Sequence, residues 1–164
     1  MQIRAATLKD TREIADVHIR ARQAAYRGIY PDDFLDGLSL DEHEDLWRER
    51  LTEPGVSTFV AVEGGQLAGH VRCGPCLAGP DGAGEVLQIH VAPEHWRKAY
   101  GSALLSTALA TLLDSGYTTN VLWVYEANDA ARRFYERHNW WPDGARLLAR
   151  FDIPQVRYRH TASV

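Results

Sequence analysis

Arg97 and Lys98 stand in a short turn, Trp96-Arg97-Lys98-Ala99-Tyr100-Gly101-Ser102, where chemistry is easiest to place in this chain. The turn follows the apolar run Val86-Leu87-Gln88-Ile89-His90-Val91 and leads into the helical pattern Gly101-Ser102-Ala103-Leu104-Leu105. A strand, a basic turn and a helix start together make an anion site. The first N–H groups of a helix have no partner within it, and the helix dipole puts partial positive charge there. Two cationic side chains strengthen the field, so a diphosphate suits the place; the plainer alternative is a turn whose basic residues simply meet water. A second segment, Val121-Leu122-Trp123-Val124-Tyr125-Glu126-Ala127-Asn128, reads as another strand with a turn at Asn128. A helix carrying Phe134 and Tyr135 follows.

Together the two segments resemble the GCN5-related N-acetyltransferase (GNAT) family, most sharply from about Gly84 to Tyr158. In that family the first segment is the acetyl-CoA diphosphate loop, [QR]-x-x-G-x-[GA]. Here Trp96 stands at the Gln/Arg position, Ala99 at the first Gly and Gly101 at the closing one. Alanine restricts φ where glycine would not, so the loop is expected to work if residue 99 takes a helical conformation. The resemblance implies acetyl-CoA as co-substrate, held by Ile89, His90 and Val91 along its pantetheine arm and by Arg97, Lys98, Ala99, Tyr100, Gly101 and Ser102 at its diphosphate. Asn128 corresponds to the family Asn near the pantetheine, and it is equally suited to cap the following helix.

Transfer of an acetyl group to nitrogen needs a neutral amine, a group to take its proton and a group to protonate the departing thiolate. Tyr135 is the candidate acid; the alternative is a core aromatic. Glu85 is the candidate base, because the resemblance puts it at the head of the strand facing the cofactor, where several family members carry a Glu. Strict alternation would place it on one face with Leu87, Ile89 and Val91, where apolar neighbours would raise its pKa; a surface Glu at a strand end is the alternative. His90 and His18 are substitutes. Tyr26, Tyr30, Phe34, Trp47 and Trp123 are candidates for an aromatic wall around a cationic amine, although Tyr26 and Trp47 would also serve to pack helices.

The elements that must carry these residues can be read from periodicity. Gln2 to Ala5 reads as a strand, and Thr7-Leu8-Lys9-Asp10 as a capping box ahead of a helix bearing Ile14, Val17, His18, Ala21 and Ala25. Pro31 and Ser39 open two further helical stretches, and Pro54-Gly55 stops the second. Ser57–Val62 and Gln66–Cys73 flank the turn Glu63-Gly64-Gly65-Gln66 as a hairpin, and Gly74-Pro75 is expected to open a loop that continues to Gly84. Leu104, Leu105, Ala108, Leu109, Leu112 and Leu113 form the buried stripe of the central helix. Asp129, Arg132, Arg133, Glu136 and Arg137 form a solvated face on the last helix. Residues 139–141 and 156–160 close the pattern as strands. The expected fold is α/β, with the GNAT architecture implied by the resemblance: a twisted, mainly antiparallel sheet of six or seven strands flanked by about four helices in a single domain, 1–164.

Composition bounds the rest. The 164 residues are 45% hydrophobic and 24% charged, with a net charge of −4, so nucleic-acid binding lacks an electrostatic basis. No apolar run is long enough to span a bilayer, and Met1-Gln2-Ile3-Arg4 begins no signal peptide, so the cytoplasm is the expected location. Cys73 and Cys76 form a lone C-x-x-C without the further ligands of a zinc site, and no metal is expected. The expected partner is a small-molecule amine, with a homodimer left open. The competing expectation is a CoA-binding or ligand-sequestering module without catalysis.

Overall fold

The computed structural model describes residues 1–160. Seven strands form one sheet: β1 (Gln2–Ala5), β2 (Ser57–Glu63), β3 (Gln66–Pro75), β4 (Gly84–Val91), β5 (Asn120–Tyr125), β6 (Trp140–Leu148) and β7 (Pro154–His160). Their order is β1-β2-β3-β4-β5-β7-β6, and every pair is antiparallel except β4 with β5. Five helices flank it: α1 (Thr11–Ala25), the single turn α2 (Asp32–Asp36), α3 (Leu40–Arg50), α4 (Tyr100–Asp114) and α5 (Asp129–Glu136). Among the described residues no helix is long and apolar enough to cross a membrane, and none of their His, Cys, Asp and Glu side chains group as a metal site.

Both sheet faces are covered, as amphipathic helices on a two-sided sheet require. One core joins Val71, Val86, Leu122 and Tyr158 of the sheet to Leu104, Leu105, Ala108 and Leu112 of α4. The other joins Ile14, Ala15 and Val17 of α1 and Trp47 of α3 to Val60 and Leu67. The expected leucine stripe on α4 is narrower than its sequence suggests: Leu113 is exposed, because the stripe had already turned past the sheet by the last helical turn.

Two strand limits differ from expectation. Gly74 and Pro75 continue β3, paired with Glu85 and Gly84, since proline is tolerated at a strand terminus where its missing N–H is not needed. β6 runs on to Leu148 as an edge strand, although Pro142 and Gly144 interrupt the apolar pattern; the pairing shifts register between Pro142 and Arg146 to absorb them.

The entry to α1 is fixed by charge. Asp10 accepts from the Thr7 N–H at 2.7 Å and the Thr7 hydroxyl at 3.0 Å, and it pairs with Arg4 of β1 through two bonds of 2.8 Å. This capping box, with Asp10 in the place of the usual Glu, ties the first strand to the first helix. The Arg4 hydrogen bond, helped by Thr7, holds the Asp10 carboxyl down at about 2 despite its burial. A depressed carboxylate stabilises the fold above its unfolded pKa, and that contribution fades as pH falls through the folded value. Asp10→Asn is therefore expected to cost about 1–2 kcal/mol at pH 7 and progressively less between about pH 4 and 2. Urea denaturation of both proteins across that range measures it; an equal gap at every pH would contradict the assignment.

Candidate active site

The site exists because two neighbouring strands stop pairing. β4 and β5 are matched only at Gly84–Asn120 and Glu85–Val121, after which they diverge. A register shift between Arg72 and Cys73 places Gln88 opposite Arg72 and Val86 opposite Cys73, so Leu87 is an extra residue that bends β4 away. The resulting fork opens into a cleft of about 1000 Å³ lined by residues 86–91 of β4 and 123–125 of β5. Ala92 donates its N–H to Ala68 at 2.9 Å. Main-chain groups alternate sides along an antiparallel strand, so those of His90 also turn to β3 while those of Ile89 and Val91 turn into the fork. Of the three residues expected along the pantetheine arm, Ile89 presents its N–H and C=O and Val91 its N–H, while His90 presents its side chain.

At the mouth of the fork, β4 gives way through a 3-10 turn (Pro93–His95) to the start of α4. Ala99 is left-handed there, at φ 66° and ψ 0°, and Arg97 has φ 60°. The condition set for an alanine at 99, a helical conformation, is not met: the loop keeps the conformation that glycine would favour, and alanine bears the strain of it. Ala103 donates to the Ala99 carbonyl at 3.0 Å, which leaves the N–H groups of Tyr100, Gly101 and Ser102 unused by the helix. A Cβ on Gly101 would lie 3.3 Å from Phe134 of α5, so this glycine lets α5 close on the loop. Trp96, which replaces the expected Gln or Arg, donates its indole N–H to the Val91 carbonyl at 2.7 Å and ties the loop back to the strand end.

The sequence-derived residues do not all reach the cleft. Arg97, Ala99, Gly101, Ser102, Asn128, Trp123, Tyr26 and Tyr135 line it. Asn128 also caps α5, accepting from the Ala131 N–H at 3.2 Å, so the capping alternative is realised in the same residue. Lys98 is exposed outside the lining, and Tyr100 is buried with its hydroxyl given to Glu63, away from the cleft. Tyr30 lies behind the wall, stacked on Tyr26 and hydrogen-bonded to Tyr125, which does line the cleft. Trp47 is fully buried beneath His18 and His70 as core, and Phe34 stacks on Tyr30.

Glu85 is the main correction. The extra residue at Leu87 breaks strict alternation, so Glu85 does not share a face with Ile89 and Val91. It sits where β4 and β5 are still paired, beside Cys76 and Arg157, outside the cleft. Burial raises its pKa there.

Tyr135 keeps its place. Its ring is buried against Phe134 and Tyr158, and burial pushes its pKa up, so it remains protonated at neutral pH. Nothing among the described residues hydrogen-bonds its hydroxyl, which leaves the donor free for a ligand. His90 also lines the cleft; desolvation first, then Arg22 and Arg50, hold it down at about 3, so it is neutral at working pH. Its Nδ1 lies 3.3 Å from His70 Nε2.

Several lining residues escaped sequence reading. Arg133 and Arg137, taken as a solvated face of α5, edge the cleft beside the α4 start. His138 stands between Phe134 and Ser102: its Nδ1 donates to the Phe134 carbonyl at 2.7 Å, and its Nε2 meets the Ser102 hydroxyl at 2.9 Å. The spacing Arg133–Arg137 and Phe134–His138, each one helical turn, was the available signal. Arg22 and Arg50 have no partner that sequence could identify, and the contact of α1 with α3 brings them together.

A cleft with unpaired strand edges, unused helix amides and three arginines at one end fits a long anionic ligand with an amide-bearing arm. Comparison with known proteins agrees. The family model "Acetyltransferase (GNAT) family" matches residues 23–140. "Uncharacterized N-acetyltransferase YuaI" of Bacillus subtilis is 34% identical over 139 residues, covering 84% of this chain and 78% of that protein. "Probable N-acetyltransferase Rv2775" of Mycobacterium tuberculosis is 30% identical over 165 residues, covering 97% and 92%. The fold matches that of the PaiA N-acetyltransferase of Thermoplasma acidophilum, solved in complex with coenzyme A, with a TM-score of 0.79 over 97% of this chain and 98% of that one at 16% identity.

The left-handed alanine yields a direct test. A left-handed non-glycine residue carries about 1–2 kcal/mol of strain, partly offset in a glycine variant by greater freedom of the unfolded chain. Ala99→Gly is expected to be more stable by about 0.5–1 kcal/mol, with coenzyme A affinity in calorimetry equal or tighter. A less stable variant would show that residue 99 is not left-handed.

Proposed function

This chain belongs to the acetyltransferase (GNAT) family, and from that premise we propose that it acts as a single domain to acetylate the primary amine of a small molecule by direct attack on acetyl-CoA. It is an N-acetyltransferase, and acetyl-CoA is its acyl donor. The observation that carries the finer reading is the fork between β4 and β5, a gap with free main-chain groups on one side and Tyr135 with an unengaged hydroxyl on the other. The non-catalytic alternative has no specific observation in its favour.

Acetyl-CoA supplies a carbonyl held as a thioester, open to attack by a neutral amine. The chain's own residues bind and move protons. Ile89 offers its N–H and C=O and Val91 its N–H, groups that an amide-bearing arm would pair with as an added strand, the Val91 carbonyl being taken by Trp96. Tyr100, Gly101 and Ser102 offer helix-start amides, and Arg97, Arg133 and Arg137 offer charge for the diphosphate. Tyr135 gives its phenolic proton to the sulfur as the carbon–sulfur bond breaks. His90, neutral and in the cleft, takes the proton lost by nitrogen as the carbon–nitrogen bond forms. A hydroxyl held protonated by burial and an imidazole held unprotonated by burial first and by Arg22 and Arg50 second are the forms these steps start from.

Removing a positioned proton donor slows such reactions by about 10²–10⁴-fold. Tyr135→Phe is expected to lower kcat by at least about 10²-fold while leaving coenzyme A affinity within about threefold. Glu85→Gln, outside the cleft, is expected to keep activity within about threefold at every pH from 6 to 9. Steady-state thiol release and calorimetry on the two variants decide the roles. An inactive Glu85→Gln with a nearly wild-type Tyr135→Phe would reverse them.

A further inference from the structure

Charge is distributed unevenly around the cleft. Arg22, Arg50, Arg97, Arg133 and Arg137 line it, and among the described residues no aspartate or glutamate does. Elsewhere Arg4, Arg12, Arg20, Arg27, Arg48, Arg72, Arg146, Arg157 and Arg159 each form an ion pair with a carboxylate. A chain of net charge −4 thus keeps its acids away from this one concavity. The diphosphate reading above accounts for Arg97, Arg133 and Arg137. Arg22 and Arg50 belong to the opposite end, with His18, His43, Gln88 and Trp47.

These two guanidinium groups are placed as a receptor. Arg50 is half-buried, lies over the Trp47 ring at 5.3 Å and donates to Gln88 Oε1 at 3.2 Å. Its charged neighbours Arg72 and Arg22 repel it, and the one opposing carboxylate, Glu53, is bonded to Arg72. Burial and these like charges bring Arg50 down to about 10. A buried charge without a counter-charge is costly. Arg22 lies over Tyr26, Tyr30 and Phe34 at 5.8, 5.4 and 5.7 Å, so the aromatic wall expected to hold a cationic amine already holds a cation.

Hydrogen-bond counting at the same place finds an acceptor missing. Trp47 Nε1 can only donate, and it donates to His18 Nδ1 at 3.1 Å. A neutral His18 then carries its proton on Nε2, which stands 3.1 Å from Gln88 Nε2, a second donor. Turning the Gln88 amide satisfies His18 but sets its NH₂ against Arg50. In either setting the row Trp47–His18–Gln88–Arg50 has one more donor than acceptors. An oxyanion beside Arg50 and Gln88 supplies what is missing.

We infer that the acceptor amine carries its own anionic group, a carboxylate or a phosphonate, seated between Arg22 and Arg50 with Gln88. The inference rests on the acetyltransferase reading above and narrows its substrate to amino-acid-like molecules. Polyamines and polycationic antibiotics, which need carboxylates around them, do not fit. Pairing one end of the substrate also points its amine along the cleft toward His90 and Tyr135. The arginines disfavour the ammonium form, so the amine is presented neutral.

The test uses the whole chain with acetyl-CoA and thiol-release detection. Acceptors are the common L-amino acids, ω-aminoalkylphosphonates, the carboxamides of the same amino acids, and spermidine. The carboxylate and phosphonate arms separate the two anions. At least one anionic amine is expected to exceed its neutral counterpart and spermidine in kcat/KM by at least about 10-fold, the worth of a charge-assisted contact. Arg22→Met and Arg50→Met are each expected to raise the acceptor KM by about 10–100-fold, to erase the preference over the carboxamide and to leave the acetyl-CoA KM unchanged. Their Tm should hold or rise, because an uncompensated charge has been removed, and Arg50→Lys should recover part of the loss. Equal or better turnover of carboxamides or spermidine overturns the inference. So does failure of every anionic amine while calorimetry shows coenzyme A binding, or an Arg50→Met defect that comes with a lower Tm and an altered acetyl-CoA KM. Absence of coenzyme A binding to the wild-type chain would instead defeat the acetyltransferase reading, and this inference with it.

Discussion

The divergence of β4 from β5 is the constraint on which the rest of the site depends. Two parallel strands that remained paired would use each other's main-chain groups and leave no gap. Here pairing ends after Glu85 and Val121, where the additional residue at Leu87 bends one strand. Unpaired backbone in a protein interior is costly unless water or a ligand meets it. The protein accepts this at one place and surrounds it with support: β3 holds β4 from its other edge, and β7 holds β5. The edges of the gap are therefore firm, which suits a binding slot better than a mobile loop would.

Around that gap the chain separates its charges. The loop between β4 and α4 turns its amides toward the cleft only through left-handed residues at positions 97 and 99. Strain of this kind persists where neighbouring structure holds it, and here the Trp96 indole on the Val91 carbonyl and the approach of Phe134 to Gly101 do so. At the far end, arginines from α1 and α3 enter a part of the cleft whose lining, among the described residues, holds no acid. Between them lie a tyrosine kept protonated and a histidine kept neutral, both by burial in the first instance. Binding at each end and proton transfer at the centre follow from one distribution of charge and solvent.

Much of this was legible in the residues. Periodicity, cap and turn residues located the strands and helices of the described residues, with β6 read only at its start, because burial on each sheet face imposes the pattern, and the basic turn before Gly101 marked the anion end. What could not be read was whatever depends on a register shift or on contacts distant in sequence. Alternation placed Glu85 in the cleft, and a single extra strand residue removed it. Helical spacing gave Arg133 and Arg137 to solvent, because an arginine facing an anion slot and one facing water occupy the same kind of helix position. Ala99 resembled a departure from the loop pattern, yet the backbone there is the one that glycine would take. Arg22 and Arg50 meet only because α1 packs on α3, a long-range contact without a local signature.

Amide hydrogen exchange with and without coenzyme A tests the central claim most directly, since it reads the main chain of the fork itself. Binding in the gap predicts slowed exchange at Ile89 and Val91 and at residues 100–102, with His90, already paired to β3, changing least. Protection elsewhere, with the β4 and α4 amides exchanging as in the free protein, would contradict the account.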